Sequence, residues 1–142
     1  MNPLLHSGLV KIARAYRVDL IYAFGSRAEE VASLLSGLPT HPEHPHSDAD
    51  IGVQPEREHR LTARERVRLT LDLERELGIG PVDLVILPEA NAFLAAEVVR
   101  GELLHARDLD EEAETQLYYL RRAGDLAPFF REQWLDTVGS EL

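Results

Sequence analysis

Three aspartates and one glycine–serine pair are the residues of this chain whose types and spacing could do chemistry. Asp48 and Asp50 stand two apart in Ser-Asp-Ala-Asp-Ile-Gly-Val. On a strand such residues project to the same face, with Ala49, Ile51 and Val53 turned inward. Two carboxylates held together repel unless a cation lies between them, and Mg²⁺ is commonly bound by one or two protein carboxylates plus substrate phosphates. Gly25-Ser26 ends the apolar run Leu20 to Phe24 and opens a helical pattern. A strand closing in such a turn at a helix N-terminus aims unpaired N–H groups and the positive end of the helix dipole at an anion. Asp83 interrupts Val82-Leu84-Val85-Ile86-Leu87, where a buried carboxylate is costly without a cation or donors. As a third acid on a neighbouring strand it could bridge a metal and receive the proton of an attacking hydroxyl. A phosphate cradle beside a cation site implies a metal-bound polyphosphate.

Each feature also has a purely structural reading. Ser26 with Glu29 forms a capping-box pattern, Asp48 and Asp50 could open a strand through an Asx turn, and Asp83 could start a strand near solvent. It is the combination that points to chemistry. His41, His44 and His46 do not join it. Structural zinc sites draw four ligands from spaced pairs, whereas these three sit among prolines in a chain without cysteine, so an exposed loop is expected.

The elements that must position these residues follow from periodicity. Leu4 to Tyr16 reads as a helix, with Leu5, Leu9, Ile12 and Tyr16 on one face. Val18 to Phe24 is nearly all apolar and so a central strand. Arg27 to Leu35 resumes helical spacing, with Gly37 as its C-cap. Gly37 to Ser47 holds three prolines and three histidines and reads as an irregular loop. Asp48 to Gln54 is the second strand. Thr62 and Glu65 form a capping box for a helix running to about Leu77 that buries Val67, Leu71, Leu73 and Leu77. After Gly78-Ile79-Gly80-Pro81, Val82 to Leu87 is a third strand. Asn91 to Arg100 is a helix capped by Gly101, and Glu102 to His105 a short edge strand. From Asp110 the chain is helical, with stripes at Ala113, Leu117 and Leu120 and at Phe130, Trp134 and Val138. Alternating strands and helices indicate an α/β domain with a helical C-terminal extension. Its Tyr118, Tyr119, Phe129, Phe130 and Trp134 are either an interface for a partner, a cover for the chain's own sheet, or a homodimer contact.

With 142 residues the chain suits one domain that buries roughly 68–70% of its unfolded surface. No window approaches the roughly 18 uninterrupted apolar residues of a membrane span, and no signal peptide is legible at the N-terminus. A cytoplasmic protein is expected. The net charge of −10 argues against gripping long nucleic acid through its backbone. Arg57, Arg60, Arg64, Arg66 and Arg68 cluster, but with interleaved acids they read as a solvated helix face. A free nucleotide is the better substrate.

Gly25-Ser26, Asp48-Ala49-Asp50 and Asp83 together resemble the signature of the polymerase-β nucleotidyltransferase superfamily, and most closely its minimal, MNT-type members. The resemblance covers about Val18 to Asp108. Phe93 to Asp108 is similar to the segment after the third acid in MNT antitoxins, which work beside a HEPN-domain toxin. It implies a small mixed β-sheet flanked by helices, with residues 1–108 as the nucleotidyltransferase domain and 109–142 as a helical extension packed on it. It also implies transfer of AMP from ATP to a toxin tyrosine, the alternatives being a free-standing adenylyltransferase of a small hydroxyl compound or a binding module of the same fold that neutralises its partner by contact. Asp48 and Asp50 would hold two Mg²⁺ ions, Asp83 would complete the site, and Gly25, Ser26 and Arg27 would hold the triphosphate. Two features depart from the family pattern. The twenty-one residues between Ser26 and Asp48 exceed its usual spacing, and Glu29-Glu30 stand where it tends to place a glycine. The longer insert should displace the loop beside the nucleotide, and a carboxylate near the phosphates should weaken binding.

Overall fold

A computed structural model of the chain describes residues 6–38 and 48–141, with side chains as far as residue 129. Its elements are α1 (Ser7–Tyr16), β1 (Val18–Phe24), a 3₁₀ turn at Gly25–Arg27, α2 (Ala28–Leu35), β2 (Ala49–Pro55), α3 (Ala63–Leu77), β3 (Val82–Ile86), a 3₁₀ turn at Leu87–Glu89, α4 (Ala92–Val99), β4 (Glu102–Ala106) and α5 (Leu109–Glu141). The strands form one sheet in the order β3-β2-β1-β4. β1 runs antiparallel to β2 and β4, and β2 runs parallel to β3, so the sheet is mixed. The nearly all-apolar reading of β1 placed it correctly: it is interior to the sheet and all seven of its residues are buried.

Strand alternation divides β1 between two cores. Ile21 and Ala23 face a cluster with Leu9 and Ile12 of α1, Val31 of α2 and Leu69 and Leu73 of α3. Leu20, Tyr22 and Phe24 face a second cluster with Ala95, Val98 and Val99 of α4 and Tyr119 of α5. Ala49, Ile51 and Val53 of β2 lie in the first cluster with no exposed surface. Asp50 therefore points to the opposite side, towards α4.

The Thr62 hydroxyl accepts from the Glu65 N–H at 3.1 Å and the Glu65 carboxylate accepts from the Thr62 N–H at 2.9 Å, the capping box expected for α3. The buried stripe differs from expectation. Leu69, Leu73 and Leu77 face the core, while Val67 and Leu71 are 60% and 53% exposed. The helix carries two aliphatic stripes on different faces, and the longer one removes more apolar area from water. Gly101 also serves differently. Arg100 is the C-cap of α4, and a Cβ on Gly101 would collide with the Ala23 carbonyl, so glycine here lets the chain pass close against β1.

From Leu109 the chain is one helix of 33 residues, with Pro128 inside it. Its inward face is Tyr119 and Ala123, flanked by half-buried Gln116 and Leu120, whereas Ala113 and Leu117 are exposed. Polar anchors set that rotation. The Tyr22 hydroxyl donates to Glu112 at 2.7 Å, Gln116 Nε2 donates to the Val99 carbonyl at 3.0 Å, and the Tyr119 hydroxyl donates to Gln54 Oε1 at 3.0 Å. The stripe at Phe130, Trp134 and Val138 lies outside the described side chains.

At the far end of β1 Asp19 is buried beneath Arg107, whose Nε lies 3.2 Å from Asp19 Oδ1 as an ion pair outside hydrogen-bond geometry. Burial, and then the hydrogen bond and negative charge of Glu111, push its carboxyl up from 3.8 to about 6, partly opposed by Arg107. A raised folded-state value favours the protonated form, so its contribution to stability is complete below 3.8 and is lost as pH rises through about 6. Asp19→Asn should therefore gain stability over the parent as pH rises, on the order of 2 kcal/mol at neutral pH. Urea unfolding well below and well above pH 6 reads this out, and an advantage independent of pH would refute it.

Candidate active site

Three neighbouring strands carry the site on their α4-facing side. Asp50 pairs in register with Phe24 of β1 on one flank and with Asp83 of β3 on the other. Asp83 shares the face of Val85, which packs into the α4/α5 cluster. The two carboxylates thus stand on adjacent parallel strands, which the sequence could suggest only as a possibility. Asp48 lies just before β2 and is exposed; Asp50 is half-buried and Asp83 exposed.

The turn after β1 closes on the same point. Gly25 has φ 76°, a left-handed conformation that favours glycine. A Cβ there would collide with Asp50 Oδ2, so the turn backbone lies directly against the carboxylate. Gly25 and Ser26 are exposed. The Ser26–Glu29 capping box does not form: Arg27 is the N-cap of α2 and makes no side-chain cap. The Gly25–Arg27 turn intervenes and carries the chain into α2.

Arg27 is buried, and its guanidinium forks onto Glu30, with Nε to Oε2 and Nη2 to Oε1 both at 2.9 Å. This pairing raises the arginine above and lowers the glutamate below their ordinary values. Arg27, which the resemblance implies as a triphosphate ligand, stands in the turn with Gly25 and Ser26 and has this carboxylate beside it. Glu29 and Glu30 both stand in the first turn of α2, where acids complement the helix dipole and compete with an incoming anion.

Among the described residues no cation pairs with the charge at the centre. Burial raises the Asp50 carboxyl above its ordinary value, and the negative charges of Asp83, Asp48 and Glu97 push it further. No described side chain forms an ion pair with Asp48, Asp50 or Asp83. Glu97 of α4 is a fourth acid that sequence reading missed. It is the one charged residue of the otherwise apolar α4, and the packing of α4 on the sheet, with Val98 against Gly52, brings it near. Among the described residues no three His, Asp or Glu side chains stand close enough to hold a metal ion by themselves. An unneutralised carboxylate group with no closed cage fits a cation that arrives with phosphate oxygens completing its shell. The loop with His41, His44 and His46 lies outside the described residues.

A four-stranded mixed sheet with acids on two parallel strands and a glycine turn beside them is the fold of a polymerase-β-like nucleotidyltransferase. Residues 8–110 match the family described as Polymerase beta, Nucleotidyltransferase, and the chain belongs to that family. Among solved structures, a toxin–antitoxin with AMP-PNP contains a chain 26% identical, with TM-score 0.67 over 97% of this chain and 98% of that one. The MntA–HepT toxin–antitoxin contains one 24% identical, with TM-score 0.63 over 94% and 95%. A complex of tri-AMPylated Shewanella oneidensis HEPN toxin with MNT antitoxin contains one 24% identical, with TM-score 0.54 over 94% and 99%. The last two are likenesses of fold. No curated protein matches the chain. No described helix is long and apolar enough to cross a membrane.

Proposed function

We propose that this nucleotidyltransferase moves AMP from Mg²⁺-bound ATP to a tyrosine hydroxyl of a HEPN-domain partner and so acts as an antitoxin. The observation that carries the reading is the placement of Asp50 between Asp83 and the Gly25 turn, where a polyphosphate and its cation would meet. Similarity to a toxin–antitoxin chain with AMP-PNP and the fold of the MNT antitoxin beside an AMPylated HEPN toxin support the donor and the acceptor. Residues 1–108 would form the catalytic unit and 109–142 its helical extension.

In this mechanism the exposed Gly25-Ser26 backbone would hold the triphosphate, and Asp48 and Asp50 would hold the cation. Mg²⁺, when bound, neutralises phosphate charge and polarises the phosphoryl group under attack. Asp83 takes the proton of the acceptor hydroxyl as its oxygen bonds to the α-phosphorus and pyrophosphate leaves. Incubation with the HEPN protein, ATP and Mg²⁺ should add the mass of one or more AMP groups to the partner, and Asp48→Asn should prevent it. A second reading, neutralisation by contact alone, is favoured by the exposed Glu29 in the first turn of α2, at its phosphate end. Co-purification without a mass shift would select it, and neither binding nor modification would refute both.

A further inference from the structure

The acids of the candidate site stand at the amino ends of β2 and β3. The carboxyl ends of the same two parallel strands open on a second concavity. Gln54 and Pro55 close β2 there and Ile86 closes β3, while residues 56–61 and the turn at Leu87–Glu89 complete the walls. Its volume is about 550 Å³, within the roughly 300–1,000 Å³ of small-molecule sites. Gln54 lies four residues beyond Asp50 along β2, on the order of 13 Å away at roughly 3.3 Å per residue. Open α/β sheets take ligands outside the carboxyl ends of their parallel strands, and this cavity is in that place.

Pro55, Leu61, Ile86 and Pro88 give it an apolar lining. Its charges divide into held and free. Glu56 pairs with Arg17 at 3.0 Å and Glu89 with Arg66 at 2.6 Å, so both of these acids already have a cation. Arg57 and Arg60 are exposed and form no ion pair among the described residues. The sequence reading put both on a solvated helix face, but α3 begins only at Ala63 and they belong to the loop before it. A turn sets them there: the Glu56 carbonyl accepts from the His59 N–H at 3.0 Å, with Glu58 at φ 65° inside it. Against these two guanidiniums stands one unpaired carboxylate, Glu58, so the cavity is locally positive in a chain of net charge −10. A guanidinium without a carboxylate partner offers a fork of N–H donors to a carboxylate or phosphate.

We propose that this cavity binds a small organic anion, its apolar or aromatic body on Pro55, Leu61, Ile86 and Pro88 and its single carboxylate or phosphate on Arg57 and Arg60. A neutral body of the same shape gains only from the apolar walls. A long polyanion is disfavoured, because Glu56, Glu58 and Glu89 ring the same opening. The inference does not rest on the proposed activity.

Titration of the full chain with naphthoate and with naphthyl phosphate, in the absence of ATP and Mg²⁺, tests it. At least one of the two should bind one to one and shift the imidazole resonances of His59, which lines the cavity. Neutral naphthamide should bind about tenfold or more weakly, and Arg57→Glu combined with Arg60→Glu should weaken the anion by a similar factor. Both arginines are exposed, so circular dichroism should show the fold of the double variant unchanged. Tighter binding of naphthyl phosphate assigns the site to phosphate monoesters, and tighter binding of naphthoate to carboxylic acids. Failure of both anions to move the His59 resonances would overturn the proposal. So would an affinity indifferent to the two reversals, or an amide that binds as tightly as the anions.

Discussion

Replacing Asp48 and Asp50 together by asparagine should abolish the gain in ATP affinity that Mg²⁺ brings and reduce AMP transfer by about 10³-fold or more. Stabilisation of phosphoryl charge by a held cation is worth several kcal/mol, and each 1.36 kcal/mol is about tenfold in rate. The fold itself should not suffer. Burial and the charges of Asp83, Asp48 and Glu97 all oppose ionisation of Asp50, so a neutral amide removes repulsion rather than a stabilising contact. Thermal unfolding of the double variant, measured without ATP or Mg²⁺, should come at or above the temperature of the parent. Calorimetry reads the binding arm: equal ATP affinity of the parent with and without Mg²⁺ would remove the cation from the mechanism and leave a binding module.

The reason this variant can separate chemistry from stability is also the reason the site was legible. Asp50 and Asp83 interrupt apolar runs and so stood out, and β1, β2 and β3 formed within a residue of their expected ends. Asp50 is half-buried, whereas Asp83 is exposed on an edge strand and carries no burial cost. What the sequence could not carry was rotation and approach. The α3 helix has two aliphatic stripes, and only the packed sheet chose Leu69 and Leu73 over Val67 and Leu71. The α5 helix turned Tyr119 inward because Gln54 and the Val99 carbonyl offered partners for Tyr119 and Gln116, groups invisible to any helical period. Glu97 reached the acids through a helix crossing, and Arg27 found Glu30 one turn on. Local spacing located the carboxylates, and tertiary contacts decided which charges surround them.

Asp83→Ala should divide binding from chemistry. Asp83 is exposed on β3, and its register partner Asp50 belongs to β2. Asp48 and Asp50 with the Gly25-Ser26 turn would still hold the nucleotide and its cation, so ATP affinity in Mg²⁺ should stay close to that of the parent. Transfer should fall by about 10²–10⁴-fold, the typical loss when a positioned base is removed. Loss of one like charge beside Asp50 should at the same time let its carboxyl move back towards its ordinary value, since Asp83 is the largest of the charges raising it. The expected signature is an unchanged Kd, a collapsed single-turnover rate, and a downward-shifted Asp50 titration followed by carboxyl NMR in the nucleotide-free protein. Undiminished transfer would exclude Asp83 as the base. A parallel loss of affinity would instead make it part of the cation's binding set, with the proton leaving by another route.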